Sequence, residues 1–317
     1  MDQARALQGD VARYGTSVRR IEVTTKAQAV EVGSVVAISM MAMPALAQVS
    51  LSGDASYKKN QPDHCFGRIL TTLAHSATLS SLSVELYGAN AADVNLIATV
   101  IATLEHLAHL DVELAQMCWE NSMDAAQHQF MTAVLSRPHL ESLALTGIFP
   151  LKELPMMSGG HAARLRQLRI FEQSDDQYTD AGGKVQDCRG FLRCMADSLE
   201  HLDLHLSWSS FPAWYPDPYT FGPEFTMPRL RYLRLRARTA CEIYRFRRCP
   251  LQSVHIAACQ PSMESRWATI PLDLFYNAHD PPMLEKITMR AKLAESWAGL
   301  VEWCKERRLE LVLTDKD

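Results

Sequence analysis

The sequence predicts an α/β solenoid. Its strands should form a parallel inner sheet of about 10–11 strands with helices on the outside, in an open right-handed horseshoe. Three observations predict this. An aliphatic frame, apolar at positions one, four and six, recurs from one end of the chain to the other. The stretches between frames carry apolar residues at helical spacing. The 317 residues, 47% of them hydrophobic, are enough for about two ordinary domains or for one elongated array spanning 1–317.

The frames follow in order along the chain. Val18, Ile21 and Val23 carry the first, in "SVRRIEV", and Leu46, Val49 and Leu51 the second, in "PALAQVSLSG". Leu79, Leu82 and Val84 follow, then Leu107, Leu110 and Val112, then Leu140, Leu143 and Leu145. Leu165, Leu168 and Ile170 precede Leu199, Leu202 and Leu204, in "LEHLDLHL". The series ends with Leu230, Leu233 and Leu235, with Leu251, Val254 and Ile256, with Leu284, Ile287 and Met289, and with a last strand around Leu311 and Leu313. The frames recur about every 29 residues, a repeat period. Between them, "ADVNLIATVIATLEHL" (92–107), "SMDAAQHQFMTAVLSR" (122–137), "CRGFLRCMADS" (188–198) and "KLAESWAGLVEWCKER" (292–307) read as helices. Asp93 stands near the start of the first, and Ser122 is a loose N-cap for the second. One repeat cannot bury its own aliphatic positions, whereas stacked repeats bury them in one continuous core. At about 4.8 Å per strand, eleven strands would make an inner edge of roughly 50 Å.

These frames resemble the leucine-rich-repeat superfamily over essentially the whole chain. "RYGTSVRRIEV" followed by "PALAQVSLSG" resembles, more narrowly, the repeat region of fungal F-box/leucine-rich-repeat proteins. The resemblance implies a non-catalytic protein–protein recognition module, the substrate-binding part of an F-box type ubiquitin-ligase component. An F-box preceding Met1, or supplied by another chain, would join it to the cullin-ligase adaptor. The alternative is a leucine-rich-repeat scaffold or inhibitor unrelated to ubiquitin. Two departures stand out. The asparagine or cysteine expected at frame position nine is found only at Cys259; Lys26, Asp54, Tyr87, Ala115, Ile148, Gln173, Ser207, Arg238 and Lys292 fill the slot elsewhere. The chain itself shows no F-box, and repeat-like sequence begins by Val18.

Other classes of function find little support. A formal net charge of −4, with both signs mixed along the chain, argues against non-specific nucleic-acid binding. The 8 cysteines include no C-x-x-C pair, so neither a disulfide framework nor a zinc site is expected, and the cytoplasm or nucleus is the simplest compartment. G-x-S-x-G, P-loop, G-x-G-x-x-G and H-E-x-x-H motifs are absent. We therefore expect no catalytic residues, cofactor, metal or membrane partner. Residues 32–53 carry no charge and include "SMMAMPALAQ" (39–48), which ends in A-x-A style; the stretch reads either as part of a repeat or as a targeting segment cleaved near Ala47.

Frame positions three, five and seven share one face of a strand, the concave face of a horseshoe. Early strands place Arg20, Glu22, Gln48, Ser50, Ser81, Ser83 and Glu85 there, and the fourth adds His109, Asp111 and Glu113. Ser142, Thr146, Gln167, Arg169 and Phe171 come next. His201, Asp203 and His205 follow, then Tyr232, Arg234 and Arg236, then Ser253, His255, Lys286 and Arg290. The face is thus acidic before the middle and basic towards the C-terminus. His201, Asp203 and His205 share a face because they alternate on a strand, so no metal is needed to explain them. Two irregular loops are expected: 172–187, polar and glycine-bearing, and 207–228, with aromatic residues among prolines. The residues singled out for partner binding are Glu85, Asp111, Glu113, Phe171, His201, Asp203, His205, Trp208, Trp214, Tyr215, Tyr232, Arg234, Arg236 and Arg290.

Overall fold

The computed structural model describes residues 15–25, 36, 40–41, 43–54, 65–115, 122–147, 164–171, 189–205, 225–237, 246–258, 276, 283–295 and 299–314. The chain divides into two compact units, Met1–Arg164 and Leu165–Asp317. The fold is α/β, and its eleven described strands follow the order of the frames.

In the first unit, β1 (Arg20–Thr25), β2 (Gln48–Asp54), β3 (Ser81–Tyr87), β4 (His109–Ala115) and β5 (Ser142–Thr146) pair in that order, all parallel. The frame residues fall into register. Ile21, Val49, Leu82, Leu110 and Leu143 form one inward row; Val23, Leu51, Val84, Val112 and Leu145 form the next. From β2 onward both rows are buried, while Ile21 and Val23 on β1 are half-buried. The position-one leucines Leu46, Leu79, Leu107 and Leu140 lie just before each strand and are also buried.

The second unit repeats the scheme. β6 (Gln167–Phe171), β7 (His201–His205), β8 (Tyr232–Ala237), β9 (Ser253–Ala258), β10 (Lys286–Arg290) and β11 (Glu310–Thr314) pair in order, again parallel. Leu168, Leu202, Leu233, Val254, Ile287 and Leu311 form one inward row. Ile170, Leu204, Leu235, Ile256, Met289 and Leu313 form the other. Burial is complete as far as β10, whereas Leu313 on β11 is 47% exposed.

Register is fixed where each strand begins. Ala108 N and His109 N both donate to the Ser80 carbonyl, at 2.8 and 3.0 Å. Glu141 and Ser142 do the same to Ala108, Glu200 and His201 to Arg166, and Gln252 and Ser253 to Arg231. One carbonyl thus takes two successive N–H groups from the next repeat, which satisfies backbone donors that the turn would otherwise leave unpaired. Two hydroxyls add to this joint. Thr78 Oγ1 donates to the Leu46 carbonyl and Ser198 Oγ to the Leu165 carbonyl, both at 2.8 Å. Each sits one residue before a position-one leucine and reaches back to the preceding one.

Among the described residues, helices fill only some of the connections. α1 (Cys65–Leu73), α2 (Ala91–Thr103) and α3 (Met123–Leu135) belong to the first unit, where α2 packs against both others. α2 begins with a full capping box: the Asn90 side chain accepts from the Ala92 and Asp93 amides, and the Asp93 carboxylate accepts from Asn90 N. α2 stops at Thr103, short of the expected Leu107, and Leu104 and Leu107 are buried in the turn that leads into β4. The Ser122 cap expected for α3 is not made. Ser122 has helical backbone angles, φ −85° and ψ −9°, rather than the extended ones that aim a cap hydroxyl at the first amides.

In the second unit α4 (Arg189–Cys194) is shorter than the 188–198 stretch suggested. The helix expected over 292–307 is two pieces, α5 (Ala291–Glu295) and α6 (Leu300–Glu306). Gly299, at φ +83° before α6, takes a left-handed conformation that suits glycine and breaks the run.

The end of the uncharged stretch 32–53 runs into strand β2, Gln48–Asp54, and Met43, Leu46, Val49 and Leu51 are buried. No helix of the described residues is long and apolar enough to cross a membrane. The expected loop 172–187 lies outside the described residues, as does 207–224 of the second loop; Phe225 and Met227 at its end are core residues.

Candidate functional site

Because strand side chains alternate, burying the inward rows brings the outward residues of neighbouring strands together in rows of their own. The singled-out residues fall into two sets, one in each unit.

In the first unit, Glu85 on β3 stands beside Glu113 on β4, and Ser83 beside Asp111. Glu85 and Asp111 are exposed and Glu113 is half-buried. Across β4, Asp111 faces Ala144 and Glu113 faces Thr146. With Glu22 on β1, this sheet face bears clustered carboxylates, and Arg20 is the cation on its strands.

In the second unit three outward rows carry Phe171, His201, Asp203, His205, Tyr232, Arg234, Arg236 and Arg290. Gln167, His201, Tyr232, Ser253, Lys286 and Glu310 make the first. Within it, the His201 and Tyr232 rings stack 4.3 Å apart at 11° to one another, and Tyr232 is 44% exposed. Lys286 Nζ pairs with Glu310 Oε1 at 2.9 Å. Phe171 and His205 begin the third row and meet edge to face, centroids 3.8 Å apart. Arg236 is next to His205 in register, and its side chain lies outside the described residues. Arg290 ends β10 opposite Thr314.

The middle row, Arg169, Asp203, Arg234, His255 and Thr288, is the most polarised. Asp203 Oδ2 lies 3.7 Å from Arg169 Nε and 3.7 Å from Arg234 Nη1. Both separations are ion-pair distances beyond hydrogen-bond reach. Burial raises the Asp203 carboxyl above the ordinary range, and this outweighs the opposing pull of Arg234 and Arg169. His255 is shifted the other way: burial first, then the Arg234 charge, lowers its pKa and favours neutral imidazole. Its Nε2 is buried and has no hydrogen-bond partner among the described residues.

Each member of the His201–Asp203–His205 triplet therefore meets a neighbour on an adjacent strand: a tyrosine ring, two guanidinium groups and a phenyl ring. Among the described residues, no three His, Cys, Asp or Glu side chains are grouped so that they could hold a metal ion. Cys249, in the turn before β9, is buried; its thiol is pushed up to about 11, chiefly by burial, and donates to the Phe225 carbonyl at 3.6 Å. That makes it a protonated core group rather than a nucleophile.

Trp208, Trp214 and Tyr215 lie outside the described residues. The structure adds Arg169 and His255 to the singled-out set. Their signal in the sequence was position five of the frame, shared with Asp203 and Arg234. Compared with protein-family models and with curated proteins, the chain matches none.

Proposed function

We propose that this chain is a protein–protein recognition module of the leucine-rich-repeat kind, non-catalytic, whose open sheet face grips a macromolecular partner. One observation carries the reading: the aliphatic frame positions are spent on in-register buried rows, which leaves the alternate positions as ordered rows of charged and aromatic side chains. A curved horseshoe would present those rows on its concave side.

Within that reading, the chain serves as the substrate-binding part of an F-box type ubiquitin-ligase component, working in the cytoplasm or nucleus. The support is the likeness of "RYGTSVRRIEV" and "PALAQVSLSG" to fungal F-box/leucine-rich-repeat proteins. The test is a pull-down with the full-length protein against the cullin-ligase adaptor. Co-purification of the adaptor is the expected result. Its absence, with the protein folded, removes the ligase assignment and leaves a scaffold or inhibitor.

A further inference from the structure

We propose that the outward face of β6–β9 is a docking site for an acidic, extended peptide segment, whose carboxylates meet the Arg169–Asp203–Arg234 row and whose central flat side chain packs on the His201–Tyr232 pair. The proposal rests on the reading of this sheet face as a protein-recognition surface, and it names the partner chemistry. Charge complementarity carries it. Arg169 and Arg234 are 56% and 40% exposed, and the one carboxylate between them stands too far from either for a hydrogen bond. Two guanidinium groups against one carboxylate leave the row a net cation. Guanidinium groups bind carboxylates through paired N–H donors.

The row fits a peptide better than other anions. Four strands at about 4.8 Å spacing span about 14 Å, the reach of roughly four extended residues. Asp203 tells more strongly against a phosphate dianion than against a singly charged carboxylate, and the Lys286 ammonium is already held by Glu310 at 2.9 Å. The stacked His201 and Tyr232 rings stand one row away, with Tyr232 44% exposed. Tyrosine and arginine together are the composition of binding hot spots.

The test is a fluorescence-anisotropy titration of the full chain with fluorescein-labelled Glu-Glu-Trp-Glu-Glu, with Gln-Gln-Trp-Gln-Gln and hexauridylate as comparison probes. The acidic peptide should bind at least about tenfold more tightly than either comparison probe. R169Q and R234Q should each weaken it about fivefold or more, whereas D203N, by removing the competing carboxylate, should tighten it a few-fold. A misfolded variant cannot produce that gain. Y232A should abolish any preference for Trp over Ala at the peptide centre. Equal binding of the glutamine peptide, stronger binding of hexauridylate, or R169Q and R234Q variants that bind like the parent chain would each overturn the proposal. The titration contains no ligase component, so its failure is separate from that of the adaptor pull-down.

Discussion

In the first unit the row crossing β3, β4 and β5 inside the sheet reads Leu82, Leu110, Leu143; in the second the row crossing β6, β7 and β8 reads Leu168, Leu202, Leu233. On the outside, the matching strands carry Glu85, Asp111 and Glu113 in one unit and Arg169, Asp203 and Arg234 in the other. The same backbone ladder thus supports opposite surface chemistries. Inward positions answer to packing, which admits only aliphatic side chains of similar volume. Outward positions face solvent, so they can differ in sign without disturbing the core.

The comparison predicts where substitutions are equivalent and where they are not. Leu82→Ala and Leu202→Ala remove residues that are 1% and 2% exposed. Each should cost about 2–5 kcal/mol, and the two losses should be alike. Chemical denaturation of each variant checks this; a loss confined to one unit would mean that the inward rows are not equivalent. Gly147, just after β5, should come next. At φ +129°, its missing Cβ would stand 2.6 Å from the Leu114 carbonyl oxygen. Gly147→Ala therefore combines a strained φ with a clash against backbone, and a loss of about 1–3 kcal/mol is expected. An unchanged melting temperature would show that the β4–β5 joint yields more easily than its geometry suggests.

The inward side of this fold was open to inspection in the amino-acid string, because a strand's period of two and a repeat's fixed length leave their mark on leucine spacing alone. Leu46, Leu79, Leu107 and Leu140 were placed correctly without any knowledge of which strand neighbours which. The outward side was legible only as composition. That His201 stacks on Tyr232, or that Asp203 falls between two arginines, depends on the register between strands about 30 residues apart in the chain. Once register is known, Arg169 and His255 enter the site at once. Helix ends were less visible, since the Ser122 cap turns on backbone angles and the Gly299 break on a single positive φ. The Thr78 and Ser198 hydroxyls had no pattern to mark them beyond their place before a leucine.

The middle row of the second unit should also respond to pH, its two shifted groups acting in opposite senses. His255 titrates below the ordinary imidazole range, so the folded chain resists protonating it. Burial is the main cause, and the Arg234 charge beside it on β8 adds to it, while Thr288, its neighbour on β10, is neutral. Above pH 6.5 the imidazole is neutral in both states and its contribution is intact. As pH falls from 6.5 towards the folded-state value, the unfolded chain takes up the proton first and stability is lost. A series of melting curves between pH 5 and pH 8 should show this decline, and His255→Gln should flatten it. Asp203 has the opposite linkage. With its folded-state pKa raised, its favourable contribution is complete below 3.8 and disappears as pH rises through the folded value. Asp203→Asn should therefore leave stability at neutral pH equal or higher, even though it breaks two ion pairs.

The smallest effect belongs to the most regular-looking contact on the face. Lys286 and Glu310 meet at 2.9 Å with good geometry, yet their side chains are 38% and 61% exposed. Water already solvates both charges well, and holding two long side chains in one arrangement has an entropic cost, so such pairs contribute under about 1 kcal/mol. Glu310→Gln should change stability by no more than about 0.5 kcal/mol, and less at high salt. Releasing Lys286 should matter more for the anion affinity of this face than for its folding. If Glu310→Gln instead destabilised the chain as much as an inward leucine does, outward rows would be structural, and the division between packing side and solvent side would fail at β10–β11.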